Sequence, residues 1–314
     1  MALPDSSTRG GGMVTMGNAT SGDVIAGRYR IIRPLATGGL GHVWLAQAYH
    51  FGLPDLVALK QCTVPEGLAP EQRRVVRRWA LTETRAAARI RHRHVIRAFD
   101  VHPDPAGPWL AMEYVPSRSL HQVVAEEGPL PPERVAAIGL ALLDGLRAGR
   151  ETGVLHLDVK PGNVLIGDDG RVLLIDFAPA VTFSGIAALA RAQVVLGSPK
   201  YVAPERLFRQ VSTARSDLWS LGATLYHAVE GRPPFTRPST AAVLHALGSE
   251  QPDPPLLAGP LTPVLTGLLR RDPAARLDHE QAGAMLREVA APPRRRTIRE
   301  ILTRRWVPAT GHQV

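Results

Sequence analysis

The sequence predicts an α+β fold in two lobes, a small lobe of strands with one helix followed by a larger, mainly helical lobe. The first observation is a helical stretch from Pro70 to Ile90, which Pro and Glu open and which carries spaced apolar residues. The second is a set of short strand-like segments around it, which predicts a five-stranded antiparallel sheet. These segments are Tyr29–Ile32, His42–Ala46, Leu56–Lys60, Val95–Val101 and Trp109–Glu113.

The pattern changes after Pro116, Ser117 and Arg118, which we interpret as a hinge. Helical segments predominate beyond it, namely Ser119–Glu126, Pro131–Thr152, Asp217–Glu230 and Thr262–Leu269. Short strands are predicted only at Val164–Ile166 and Val172–Ile175. The predicted organisation is therefore a disordered N-terminal tail (1–27), a small lobe (28–115), a large lobe (116–290) and a basic C-terminal tail (291–314).

Composition narrows the class of protein. The 314 residues are 45% hydrophobic and 21% charged, which is typical of a globular protein and excludes a wholly disordered or fibrous chain. A single cysteine, Cys62, excludes an internal disulfide framework and a cysteine-based zinc cluster. No segment approaches the roughly 18 uninterrupted apolar residues of a membrane span, and residues 1–27 lack the apolar core of a signal peptide. We therefore expect a cytoplasmic protein without a membrane span.

The net charge of +9 raises the possibility of a nucleic-acid partner. Nine of the arginines cluster between residues 73 and 97, but they lack the interleaved aromatic residues that stack on bases. Such a cluster is more often a solvated helix face, so we do not expect nucleic acid. Of the 37 basic residues, only Lys60, Lys160 and Lys200 are lysines.

A glycine-rich turn between the first two predicted strands can bring backbone amides close to phosphates. The turn spans Thr37 to Gly41 and is a weak signal alone. Lys60 follows 19 residues after Gly41, on a strand with apolar neighbours, and could hold phosphate oxygens. Glu83, on the predicted helix, could orient Lys60 or form a surface ion pair with Arg85 or Arg89.

The densest cluster of polar residues is His156 to Leu165, a loop that leads into a strand. Asp158 is a candidate proton acceptor, Lys160 can neutralise a transferring phosphoryl group, and Asn163 can ligate Mg²⁺. Asp176 closes the next strand 13 residues after Asn163, and carboxylate with amide oxygen suits Mg²⁺ bound to substrate phosphates. Any one of these residues could be an Asx-turn residue, but chance is a poor explanation of all of them together in this order.

With these motifs the sequence resembles the protein kinase family, and specifically the bacterial, actinobacterial-like serine/threonine kinases. The resemblance covers about Arg28 to Val289 and includes Ala203-Pro204-Glu205, Ser216 to Gly222 and Arg271 to Arg276. It implies the bilobal kinase fold, ATP and Mg²⁺ as cofactors, and a protein substrate with a Ser or Thr. Lys160 favours Ser/Thr specificity within the family.

The resemblance also implies roles for individual residues. Asp158 would be the catalytic base, Lys160 would steady the γ-phosphoryl, Lys60 would pair with Glu83, and Asn163 and Asp176 would hold the metal. Arg276 would pair with Glu205. The residues implied to bind the nucleotide are Leu35, Ala36, Thr37, Gly38, Gly39, Leu40, Gly41, His42, Val43, Ala58, Lys60, Met112, Glu113, Val115 and Leu165.

Four features depart from the family pattern. Ala36 replaces the first glycine of the phosphate loop, which is tolerated if its φ is negative. Leu157 replaces the arginine that normally receives a phosphate on the activation loop, so we expect activity without phosphorylation of that loop. Ala178 replaces the glycine after Phe177 and precedes a proline, which predicts one held orientation of Asp176 and Phe177. Residues Ile186 to Leu196 are unusually apolar and are expected to pack on the large lobe or to form a docking patch.

Two alternatives stay open beside an active protein kinase. A catalytically weak pseudokinase acting as a nucleotide-binding scaffold would explain Ala36, Leu157 and Ala178, although none of these removes a reacting group. A small-molecule phosphotransferase would share the Asp158 and Asn163 spacing but usually lacks Ala203-Pro204-Glu205. We also expect a regulatory protein partner, because the sequence encodes no sensor domain.

Overall fold

The structure is a computed structural model that describes residues 19–38, 41–49, 52, 54–62, 70–71, 81–82, 84–104, 107–177, 181–182 and 198–291. Most of the helix predicted for Pro70 to Ile90 lies outside these residues, although residues 70–71, 81–82 and 84–87 are helical.

The small lobe is a six-stranded sheet in the order β1-β2-β3-β4-β6-β5, in which every pair is antiparallel. The five predicted strands are confirmed, with β2 longer than expected because the hairpin is paired as far as Gly38 and Gly41. The strand bounds are β1 Val24–Ile25, β2 Tyr29–Gly38, β3 Gly41–Ala48, β4 Leu56–Cys62, β5 Ala98–His102 and β6 Trp109–Glu113.

Alternation along β4 divides this sheet into two faces. Val57 and Leu59 join one apolar cluster with Tyr29, Ile31 and Trp109. Ala58 and Lys60 alternate with these two residues along β4 and therefore point to the other face. The sheet thus presents Lys60 on the face that carries a second, smaller cluster around Ala58 and Met112.

The sheet begins before the boundary expected from the sequence. Val24 pairs with Arg30, and Ala19 is only 7% exposed. Residues 19–27, assigned to a disordered tail by their polar, glycine-rich composition, are therefore part of the folded lobe. A two-residue strand carries too little periodicity to be recognised in the sequence.

The large lobe is mainly helical, and its central helix α2 packs against α4 and α7. Three helices begin with a capping box, formed by Ser119 with Gln122, Thr213 with Ser216, and Asp278 with Gln281. The helix bounds are α1 Leu120–Glu127, α2 Pro132–Glu151, α3 Pro204–Phe208, α4 Ala214–Glu230, α5 Thr240–Ser249, α6 Thr262–Leu268 and α7 His279–Ala290. The structure adds α3, α5 and α7 to the helices expected from the sequence.

Short strands connect the lobes beside the candidate site. They are β7 Ser117–Ser119, β8 Val154–Leu155, β9 Val164–Gly167, β10 Val172–Leu174 and β11 Val181–Thr182. β9 pairs with both β10 and β7, which confirms the two strands predicted in this lobe and makes the expected hinge a strand. No helix among the described residues is both long and apolar enough to cross a bilayer.

Candidate active site

Lys60 and Asp176 join the two lobes. Lys60 lies on β4, and its Nζ is 2.7 Å from Oδ1 of Asp176, which follows β10. The lysine is 2% exposed, and burial disfavours its charged form. Asp176, through its charge and hydrogen bond, acts together with Cys62 and Asp158 to outweigh burial and raise the pKa of Lys60 above its ordinary value. Lys60 is therefore a buried cation at neutral pH.

Asp176 is held by contacts on both sides. Its φ is +63°, a left-handed backbone that costs a non-glycine residue about 1–3 kcal/mol and that functional sites often retain. The preceding Ile175 donates its amide to the carbonyl of Asn163 at 2.9 Å. The following Phe177 is buried, with its ring 4.6 Å from that of His156 and in contact with α2 at Gly149.

Asp158 is the most densely bonded carboxylate of the site. Its Oδ2 accepts from Lys160 Nζ at 2.7 Å and from Asn163 Nδ2 at 3.1 Å. Its Oδ1 accepts the amide of Ser198 at 3.1 Å. Ser198 Oγ also accepts from Lys160 Nζ at 3.1 Å, so Ser198 holds both charged groups. The side chain is 4% exposed, and these bonds fix the direction in which its carboxylate points.

Asp217 of α4 anchors the backbone of the loop that carries Asp158. The amides of His156 and Leu157 donate to the two oxygens of Asp217 at 2.9 and 2.8 Å. Burial raises the pKa of Asp217, while these amides and nearby charges favour its carboxylate. Leu157 has a φ of +62° and is 2% exposed, and its carbonyl accepts from Arg206 of α3.

His156 connects the loop to the Asp176 segment. Its Nδ1 accepts the amide of Asp158 at 3.2 Å, which requires that Nε2 carry the hydrogen in the neutral ring. Nε2 then donates to the carbonyl of Ile175 at 2.8 Å. One fully buried imidazole thus links the backbones on either side of the site.

A buried ion pair ties α3 to the segment after α6. Arg276 donates to both oxygens of Glu205, at 2.9 and 3.1 Å, and its side chain is 0% exposed. Ser216 Oγ donates to Glu205 at 2.9 Å, and the guanidinium lies 5.2 Å from the Trp219 ring. The pairing implied by the sequence resemblance is therefore present.

The sheet face beside Lys60 carries an apolar surface. Ala58 and Met112 are paired across β4 and β6 and share a cluster with Leu35 and Val43. The amide of Val115 has no protein acceptor among the described residues. These groups can receive a flat, partly polar ring, and the half-buried Leu165 of β9 lies on the large-lobe side.

The hairpin above this face is formed by β2 and β3. Ala36 pairs with Val43 and is absent from the residues with positive φ, which meets the condition stated for its Cβ. Thr37 pairs with His42, and Gly38 with Gly41. Gly39 and Leu40 lie outside the described residues, as do Glu83, Ala178 and the segment Ile186 to Leu196.

The residues proposed for Mg²⁺ fit that ion. Asn163 uses its Nδ2 on Asp158, which leaves its amide oxygen as the atom available to a cation. Asp176 lies beside it through the Ile175–Asn163 backbone bond. No cluster of three or more acidic, His or Cys ligands occurs within the described ranges. A two-ligand site suits Mg²⁺, which usually takes most of its oxygens from phosphates and water.

The structure thus brings Lys60, Asp158, Lys160, Asn163 and Asp176 into one site with the apolar sheet face. Sequence reasoning gave no role to three residues that hold this site, namely Ser198, His156 and Arg206. The only sequence signal for these three residues was that each lies within a few positions of Asp158 or of Ala203-Pro204-Glu205. The arrangement can bind a nucleotide phosphate, accept a hydroxyl proton and stabilise a transferring phosphoryl group.

Comparison with known proteins agrees with this chemistry. Residues 29–286 match the protein kinase domain family. The chain is 33% identical over 238 residues to the probable serine/threonine-protein kinase PknB of Corynebacterium glutamicum, covering 74% of this chain and 36% of that protein.

Two further relatives have similar identity. The serine/threonine-protein kinase PknL of Mycobacterium tuberculosis is 34% identical over 218 residues, which is 69% of this chain and 53% of that protein. The serine/threonine-protein kinase PkaA of Streptomyces coelicolor is 33% identical over 282 residues, covering 85% of this chain and 50% of that protein. The matched regions thus span between about a third and a half of the length of these relatives.

Proposed function

Because the chain belongs to the protein kinase family, we propose that it is an ATP-dependent protein serine/threonine kinase. It transfers the γ-phosphoryl group of Mg-ATP to a Ser or Thr hydroxyl of a protein substrate. The observation that carries this proposal is the Lys60–Asp176 ion pair of 2.7 Å beside Asp158, whose carboxylate is oriented by three hydrogen bonds. The names of the three relatives support the Ser/Thr assignment.

In this proposal each residue has one task. The adenine packs on the cluster of Ala58, Met112, Leu35 and Val43, and Lys60 binds phosphate oxygens. Asn163 and Asp176 would hold Mg²⁺, which would supply positive charge to the phosphates.

The transfer step is assigned to Asp158 and Lys160. Asp158 accepts the proton of the substrate hydroxyl while the hydroxyl oxygen bonds to the γ-phosphorus and ADP leaves. Lys160, 2.7 Å from Asp158, neutralises the charge on the γ-phosphoryl.

We also propose that activity does not depend on phosphorylation of the activation loop. The family's arginine before the catalytic aspartate is here Leu157, an apolar side chain that is 2% exposed. It offers no charge to receive a phosphate. Between Phe177 and Gly197 the only hydroxyl residues are Thr182 and Ser184, both near the start of that segment. The expected signalling role and regulatory partner belong to this same proposal.

The test is phosphorylation in vitro with Mg-ATP and a mixture of candidate protein substrates, followed by mass spectrometry. The proposal expects phosphate on Ser or Thr residues of substrate or of the chain itself, and far less with Asp158→Asn. A nucleotide-binding scaffold would instead bind ATP and leave every hydroxyl unmodified. Phosphate on small molecules alone would indicate the other class of phosphotransferase.

A further inference from the structure

A cavity of about 560 Å³ opens beside the catalytic loop. Its lining includes Lys160 to Gly162 of the catalytic loop and, as a second wall, the segment Ser198 to Tyr201. His121 of α1, Arg237 and residues at the start of α5 also line it. Since Lys160 also contacts Asp158 at 2.7 Å, the cavity begins one side chain away from the proposed phosphoryl-transfer centre.

The basic groups of this cavity differ in how far they are already paired. Lys160 is bonded to Asp158, and Arg237 is bonded to Glu250 and Asp253, the latter at 2.9 Å. Lys200 is exposed and makes no ion pair or hydrogen bond with any residue that the structure describes. Among the described residues, its ammonium is therefore the charge without a partner at this wall.

The described lining of the cavity offers no carboxylate to Lys200. None of the described residues that line the cavity is acidic. Residues 198–204, which include this wall, also contain no Asp or Glu. The protein has 28 acidic residues, yet none of them is in the described lining of this cavity. A basic cavity of this kind beside the reaction centre favours an anionic occupant.

We propose that this cavity, the Lys200 cavity, binds an anionic side chain of the protein substrate, and that Lys200 is a specificity-determining residue. The inference rests on the proposed function, because the occupant is carried by the chain whose hydroxyl is phosphorylated. An extended chain advances about 3.3–3.6 Å per residue. The anionic residue therefore lies within about three residues of the acceptor Ser or Thr. Asp, Glu and phosphoserine share the required chemistry.

The experiment uses peptides that share one sequence and carry a single varied residue, which is Glu, Gln, phosphoserine or Lys. A separate set of peptides places this varied residue at each of the three positions before and after the acceptor. We expect the wild-type chain to phosphorylate the Glu peptide about fivefold more efficiently, by kcat/KM, than the Gln peptide at one or more positions. A larger preference for phosphoserine than for Glu would identify a phosphorylated substrate.

Variants of Lys200 assign the preference to this residue. Lys200→Gln should abolish the Glu-over-Gln ratio, Lys200→Glu should favour the Lys peptide, and Lys200→Arg should retain the wild-type ratio. Arg93→Gln removes an exposed charge elsewhere and serves as the matched control. Equal ratios in wild type and in every Lys200 variant would overturn the inference while leaving the kinase proposal intact.

A binding measurement separates the two proposals if no peptide is phosphorylated. Fluorescence anisotropy of labelled Glu and Gln peptides measures their binding to the Lys200 cavity and does not require phosphoryl transfer. Tighter binding of the Glu peptide that Lys200→Gln removes would support the cavity even in an inactive chain. Equal binding of both peptides by the wild-type chain would overturn it.

Discussion

Lys60 Nζ lies 2.7 Å from Asp176 Oδ1, so a strand of the small lobe and the segment after β10 of the large lobe meet through one ion pair. The lysine is nearly fully buried, whereas the aspartate is 19% exposed toward the site. A nucleotide phosphate and its metal would therefore meet a cation and a carboxylate that are already oriented, which reduces the reorganisation needed during transfer.

Replacing the buried cation should impair transfer far more than folding. We expect Lys60→Met to lower kcat/KM for ATP by about 100-fold or more, since a charge aimed at the phosphates is lost. Lys60→Arg should not restore it, because the guanidinium has a different shape and cannot act as the same point charge. Steady-state kinetics make the measurement, with the exposed Arg30→Met as control. Activity within twofold of wild type would refute the assignment.

Arg276 and Glu205 should contribute to stability rather than to chemistry. Arg276→Met leaves a buried carboxylate without its partner, and we expect a loss of about 3–5 kcal/mol in the free energy of unfolding by urea. The double variant with Glu205→Gln should recover part of that loss. Arg118→Gln, which breaks an exposed pair with Glu126, should cost much less. Equal effects of the buried and exposed changes would contradict this account.

Arg206 should act as a positioning residue through the carbonyl of Leu157. The side chain is 3% exposed and also bonds Ser212 Oγ at 3.3 Å. We expect Arg206→Met to lower kcat about tenfold or more by displacing Asp158, with KM for ATP nearly unchanged. Arg206→Lys should restore part of kcat, and exposed Arg209→Met should have no effect. A loss of stability with normal kcat in the remaining folded protein would mean a purely structural role.

Activity should survive removal of the early activation-loop hydroxyls. Thr182→Ala/Ser184→Ala is expected to retain most of the wild-type rate, because Leu157 presents no charge that a loop phosphate could bind. The measurement is the initial rate of peptide phosphorylation by protein purified without prior ATP. Loss of most activity would show that loop phosphorylation is needed after all.

Stability should depend on pH through His227, whose Nδ1 is 2.9 Å from the Tyr201 hydroxyl. Burial, with the nearby His121 and Lys200, lowers its pKa from 6.5 to about 4. The unfolded chain then binds more protons between these pH values, so stability falls as the pH drops through this window. The free energy of unfolding, measured with urea from pH 7 to 4, should fall less steeply with decreasing pH for His227→Gln than for the wild type. The exposed His245→Gln should keep the wild-type dependence on pH. Identical slopes in all three proteins would exclude His227 as a source of the pH dependence.

Local sequence patterns were sufficient for much of the fold. The β2–β3 hairpin was predictable because apolar segments flank a glycine-rich turn, and α2 because a proline opens a long amphipathic stretch. β1 and α3 could not be predicted, because segments of two and five residues contain too little periodicity. α5 and α7 were missed although their sequences carry helix-start signals, namely the N-cap Ser239 of α5 and the capping box of Asp278 with Gln281 at the start of α7.

The reacting groups were predictable and the groups that hold them were not. Asp158, Lys160 and Asn163 lie within one loop, so their spacing alone placed them together. The contact of Ser198 with Asp158 joins residues 40 positions apart, and that of Arg206 with Leu157 joins residues 49 apart. Serine and arginine occur widely on protein surfaces, so only the three-dimensional contact distinguishes these two.

Transfer of labelled γ-phosphate from Mg-ATP to a Ser/Thr protein substrate, compared between wild type and Asp158→Asn, tests the central claim most directly. Three hydrogen bonds direct the carboxylate of Asp158, so its replacement should remove the proton acceptor while Lys60 and Asp176 stay paired. The account predicts phosphorylation by the wild-type chain and a fall of about 10²–10⁴-fold in the variant. Equal incorporation by both proteins, or none by either despite bound ATP, would contradict it.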